Sequence, residues 1–222
     1  MRLKLMITVL GLVAMALPVA SQMGMQVPTL SGIWHPVVGG GSTYEITRDG
    51  KKTTMDFAVL GKEDVAGKPG YWVEVAMSDA RQNGDVIVKV LETVEGNTIT
   101  NSKWVMQMPG QQPMEMDGNM MNMANRRGNQ TQAADFRDKA ELVGSESITV
   151  PAGTYTCEHY RMKDGSGDAW ISDKVSPWGL VKMQDPQRTM VLAKVTTDAK
   201  DRITGTPTKF DPMQMMRNRQ GQ

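Results

Sequence analysis

A mainly β protein is predicted, an antiparallel sheet of about eight to ten strands with little helix, and two observations predict it. Hydrophobicity alternates with period two along much of the 222-residue chain, as it does in strands buried on one face only. Short segments whose residues tolerate positive φ, namely Asp49-Gly50, Asn83-Gly84 and Gly96-Asn97, lie between the alternating runs as hairpin turns. The only cysteine is Cys157, so no internal disulfide can form and the fold has to hold by packing.

The elements follow in order. Residues 1–21 are expected to be a secretory signal peptide: Arg2 and Lys4 form a cationic start, Leu5 to Leu17 an apolar run, and small residues precede the cut after Ser21. That run is short against the roughly 20 residues of a membrane span, and no later segment is apolar enough to be one. The leader has no cysteine at its cut for lipid attachment, so a periplasmic or secreted chain is expected. Residues 22–206 read as one β domain. Its inward sets are Met55, Phe57 and Val59; Tyr71, Val73, Val75 and Met77; Val86, Val88 and Val90; and Trp104, Met106 and Met108. Later strands are expected at 147–150, 154–162, 169–172, 179–183 and 189–197, with a turn at Val150-Pro151-Ala152-Gly153. Gln132 to Leu142 reads either as a short helix or as an extended segment. Residues 108–132, rich in Met, Asn, Gln and Gly, and the tail 207–222 have neither periodicity and are expected to be flexible. Gly61-Lys62-Glu63 before a strand carrying Glu74 echoes Gly144-Ser145-Glu146 before a strand carrying Glu158, which suggests two similar halves.

Composition excludes some functions. Of 25 basic and 24 acidic residues, Arg2 and Lys4 belong to the leader, so the mature chain is close to neutral. It has no field to steer nucleic acid, and aromatic residues are too few for a base-stacking surface. There is no glycine-rich phosphate loop, nucleophile elbow or H-E-x-x-H zinc motif.

The second half carries a recognisable order of residues: Gly144-Ser145-Glu146, then Val150-Pro151-Ala152-Gly153-Thr154-Tyr155, Asp168-Ala169-Trp170-Ile171-Ser172, and Gly179-Leu180-Val181-Lys182. This order resembles uncharacterised exported bacterial β proteins of the DUF3108 and DUF4412 type, which are distantly similar to the periplasmic lipoprotein carrier LolA. The resemblance covers about 60 residues well. It implies a strongly curved antiparallel sheet or half-open barrel whose concave face holds an apolar groove, and it implies no catalytic residues. The expectation is a non-enzymatic protein that binds an apolar or amphipathic ligand, a lipid among the candidates, or an envelope partner. A scaffold without a small ligand is the alternative, and oligomeric state is open.

Four groups of side chains could carry chemistry. Cys157 and His159 share a strand face, but the spacing of about 6.5 to 7 Å is long for a thiolate–imidazole pair, and a buried thiol beside a structural histidine is the simpler reading. Glu63 and Glu146 occupy equivalent places in the echo and would need to face each other to act as paired acids. Trp170, Ser172 and Lys182 read as structural strand residues. Methionine is abundant, 20 residues in all, and Met114, Met116, Met120, Met121 and Met123 have a spacing suited to soft thioether ligation of Cu(I), set against their use as adaptable apolar filler. No other metal or cofactor is expected.

Overall fold

The computed structural model describes residues 33–78, 84–96, 98–118 and 136–210. The expected leader, Met120, Met121, Met123 and the tail beyond residue 210 lie outside the described residues.

The first meander comprises β1 (Gly41–Arg48), β2 (Lys51–Val65), β3 (Lys68–Ser78), β4 (Asp85–Glu95), β5 (Thr98–Gln107) and β6 (Met114–Asp117). A one-turn helix, α1 (Phe136–Lys139), opens the second meander of β7 (Ala140–Val150), β8 (Gly153–Met162), β9 (Asp168–Ile171), β10 (Leu180–Gln184) and β11 (Arg188–Thr196). A two-residue strand, β12 (Thr208–Lys209), follows. All belong to one sheet, in the order β12-β6-β5-β4-β3-β2-β1-β11-β10-β9-β8-β7. Each meander is antiparallel, β1 joins the two by pairing with β11, and only β12 runs parallel, against β6.

The turns form where φ can become positive. Asp49 (φ 51°) and Gly50 (φ 73°) close β1 onto β2, the backbone of a tight hairpin. Ala66 (φ 53°) and Gly67 (φ 82°) do the same between β2 and β3. Ala66 gives no sequence signal for this, since alanine rarely adopts that conformation.

Two corrections to the expected fold follow. The sheet has twelve strands instead of eight to ten, because β1, β6 and β12 were not foreseen. Within the supposed loop 108–132, Met114–Asp117 is a strand, and within the supposed tail Thr208–Lys209 pairs with it. Among the described residues, the stretch 132–142, open between helix and strand in the sequence, supplies one helical turn at Phe136–Lys139 and then the start of β7 at Ala140.

Register shifts bend the sheet. They fall at Thr43/Tyr44, Val59/Gly61, Leu91/Glu92, Leu142/Gly144 and Leu180/Lys182; an extra residue in one strand increases its local twist. The second meander curls until the β7–β8 turn reaches β11: the Ala152 N–H donates to the Leu192 carbonyl at 3.2 Å, although β9 and β10 separate these strands in the sheet. Tyr44, Phe57, Ile171, Val181 and Leu192 pack within this curl. Trp34 closes it, its ring 4.5 Å from Trp178 and 6.0 Å from Tyr71. The echoed segments both lie in long hairpins, β2–β3 and β7–β8, each with a register shift just before its glycine, Gly61 or Gly144.

Residues 198–210 leave β11 and cross the outer face as a strap. Ala199 N–H donates to the Gly39 carbonyl, Thr204 N–H to Gln107 Oε1, and Phe210 N–H to the Glu115 carbonyl. Arg202 grips Asp56 of β2 and Asp85 of β4, while its backbone N–H donates to Glu74 of β3 at 3.1 Å.

Candidate functional site

Strand alternation gives the sheet an inner and an outer face with different chemistry. On the inner face, beyond the curled core, β3 presents Tyr71, Val73, Val75 and Met77, and β4 presents Val86, Val88, Val90, Glu92 and Val94. β5 continues with Asn101, Trp104 and Met106, and β6 with Met114 and Met116. Val73, Val86 and Val90 are buried, whereas Met77, Val88, Met106 and Met114 keep part of their surface exposed.

One residue breaks this apolar face. Glu92 follows Val86, Val88 and Val90 in the inward register, directly opposite Tyr71 on one side and Asn101 on the other. Its Oε2 is sealed from solvent and has no hydrogen-bond partner. Burial, which disfavours the charged form, raises its pKa to about 7. Asn101 Oδ1 and Trp104 Nε1 are likewise buried and unpartnered. Sequence reasoning missed this trio; the available signal was a glutamate in the fourth inward position of an otherwise all-valine run.

The outer face buries a second apolar layer over β3–β5, Ala76, Ile87, Leu91 and Val105, and elsewhere carries paired polar groups. Glu146 accepts from Trp170 Nε1 at 2.6 Å and lies 3.0 Å from His159 Nδ1. Asp168 Oδ1 is 2.8 Å from His159 Nε2 and accepts from Arg161 Nε at 3.0 Å. His159 stacks on Trp170 at 4.5 Å, and the Lys182 ammonium lies 4.6 Å from the same ring. Burial opposes ionisation of Asp168, but the hydrogen bonds and charges of His159 and Arg161 prevail and hold its carboxyl below the usual range. A smaller version recurs in the first meander, where Glu63 accepts from Trp72 Nε1 at 3.0 Å and Lys103 Nζ at 2.9 Å.

These contacts settle where the sequence candidates stand. Glu63 and Glu146 each bind within their own meander and share no partner, so they do not form a facing pair. Both His159 nitrogens are taken by carboxylates, while the Cys157 thiol packs in the core with the Tyr155 carbonyl at 3.7 Å. Burial first, and the Glu146 charge second, push that thiol up to about 11, so it is no ready nucleophile. Trp170 and Lys182 belong to the stacked ladder, and Ser172 is buried with its hydroxyl unpaired. Met114 lies opposite Met106, and Met116 opposite Trp104. Among the described residues, no group of three or more His, Cys, Asp or Glu could hold a metal ion, and no helix is long and apolar enough to cross a membrane.

Comparison with known proteins adds fold-level likenesses only. No family model and no curated protein matches the chain. Among solved structures it is similar to a candidate lipoprotein from Parabacteroides distasonis ATCC 8503, at 15% identity and a TM-score of 0.38 over 73% of this chain and 97% of that one. An exported protein with a YmcC-like fold from Bacteroides fragilis NCTC 9343 gives 13% identity and a TM-score of 0.36, over 73% and 98%. MucB, solved in complex with MucA(peri), gives 9% identity and a TM-score of 0.40, over 75% of this chain and 53% of that one. At such values the function has to be read from the chain's own residues.

Proposed function

We propose that this is a non-enzymatic protein, exported to the periplasm or beyond, whose inner sheet face binds an apolar or amphipathic ligand, a lipid among them. The observation that carries the reading is the inner face of β3–β6, where apolar side chains continue past the packed core and several remain partly open. A face that is apolar with a few inward polar groups has the composition of small-molecule sites. The acidic and basic side chains of the outer face are committed to one another and to the strap, which leaves that face with a structural role. Export rests on the leader. Native mass spectrometry of protein purified gently from the envelope tests the reading: a bound lipid-sized mass is expected, and repeated recovery of bare protein, with no uptake of added amphiphile, would overturn it.

A second reading is favoured by one observation. Register places Met106 directly opposite Met114 on the inner face, with Met116 beside them, so thioethers from two strands come together where a soft cation such as Cu(I) could be bound. The burial of Met116 suits packing equally well. Titration with Cu(I) under reducing conditions decides it, and an affinity no tighter than micromolar would remove it.

A further inference from the structure

Six described residues hold a buried side-chain polar atom without a hydrogen-bond partner, and three of them, Glu92, Asn101 and Trp104, share one patch of the inner face. Glu92 and Asn101 are direct cross-strand partners, and Trp104 is opposite Val90, the inward neighbour of Glu92. Cross-strand partners hold their Cβ atoms about 5 Å apart and diagonal neighbours about 7 to 8 Å, within reach of long side chains. Each orphaned atom costs on the order of 1–3 kcal/mol; two of the three, Glu92 Oε2 and Asn101 Oδ1, are acceptors that one outside donor could answer together, whereas the Trp104 N–H is a donor and would stay unpaired against it.

The orphans specify that partner. Glu92 Oε2 and Asn101 Oδ1 are acceptors, and an ammonium group offers three donors and no acceptor. Among the described residues no cation answers the charge of Glu92 either. Lys62, the cation that shares this face, lies 5.7 Å from the Tyr71 ring centroid, and Lys89 and Lys103 point to the outer face against Asp201 and Glu63. Trp104, diagonal to Glu92 in the register, offers a ring surface to which a cation is attracted, and Val88, Val90 and Met106 continue as an apolar track for a chain.

The geometry points to Glu92, Asn101 and Trp104 as the polar end of the ligand site, a site that selects an amphiphile carrying a primary amine at the end of an apolar chain. This rests on the ligand reading above and names its class. Binding of the ammonium favours ionised Glu92, so it is linked to release of the proton that this carboxyl holds below about pH 7.

The test compares decylamine with decanol, each below its aggregation concentration, by calorimetry on the whole protein at pH 7.5. The amine is expected to bind at least tenfold tighter than the alcohol. In Glu92→Gln the amine should lose that advantage, the two probes then binding within about twofold of each other, with thermal melting as the check on folding. A second measurement needs no variant: the preference of the unaltered protein for the amine should grow between pH 5.5 and pH 8. Equal affinities for the two probes, or a preference that survives Glu92→Gln, would overturn this inference and leave the ligand reading intact. Binding of neither probe would overturn both.

Discussion

Glu92 and Glu74 are both held at a pKa of about 7, for different reasons. At Glu92 the cause is burial alone. At Glu74 burial leads, the Arg202 N–H opposes it, and the neighbouring Asp201 carboxyl adds to the rise; Asp201 itself is held low by Lys89, although burial works against this. An acid whose pKa is higher folded than unfolded binds its proton more tightly in the fold. Its contribution is therefore full below about pH 4.5 and is lost as pH rises through about 7. For Glu92 the shift corresponds to something on the order of 3 kcal/mol. Chemical denaturation should show the ligand-free protein more stable at pH 5 than at pH 8, and Glu92→Gln should flatten much of that slope. The Cys157 thiol, pushed up by burial, should react with iodoacetamide at pH 8 far more slowly than a free thiol does, and at full rate only after denaturation. Cys157 was legible as a structural residue from a lone thiol in an alternating strand. Glu92 continues the inward run of Val86, Val88 and Val90 and was legible as a misplaced charge, but its pairing with Asn101 depends on the bulge at Leu91/Glu92, which the sequence does not announce.

Among the elements, the strap and the tight hairpins carry separate tests. Arg202 ties residues 198–210 to Asp56 and Asp85, but all three side chains are partly solvated, so Arg202→Ala should cost only about 1 kcal/mol globally. Locally the effect should be larger, with faster hydrogen exchange at the amides of Ile203, Thr204 and Thr208. At Gly67, with a φ of 82° and nothing within 4 Å of where a Cβ would stand, Gly67→Ala meets no clash and strains only the backbone. A cost of about 1–2 kcal/mol is expected in thermal or chemical unfolding. The Asp49-Gly50 turn was readable because its residues announce their backbone conformation, and the long strands because their inward residues alternate. The strands β1, β6 and β12 were not. β1 reads GSTYEITR, with a buried serine and tyrosine in place of an aliphatic set. β6 is four residues, MEMD, inside a methionine-rich stretch, and β12 is two. Strands this short take their identity from the partner they pair with and not from their own pattern.

At the scale of the whole molecule, two meanders joined at β1–β11 divide the work. The second meander curls on itself and buries a filled core, and the first extends an apolar face beyond that core while the strap secures its back. Curvature was foreseen only through the family resemblance, because bulges depend on which residue faces which across strands. Among the described residues, the inner face of the first meander is where apolar side chains such as Val88 and Met106 keep part of their surface exposed. The most direct measurement is native mass spectrometry of the gently purified protein, followed by delipidation and reloading with decylamine or decanol. The account expects a bound mass that extraction removes and added amphiphile restores. Protein that is bare from the start and takes up neither probe would contradict it.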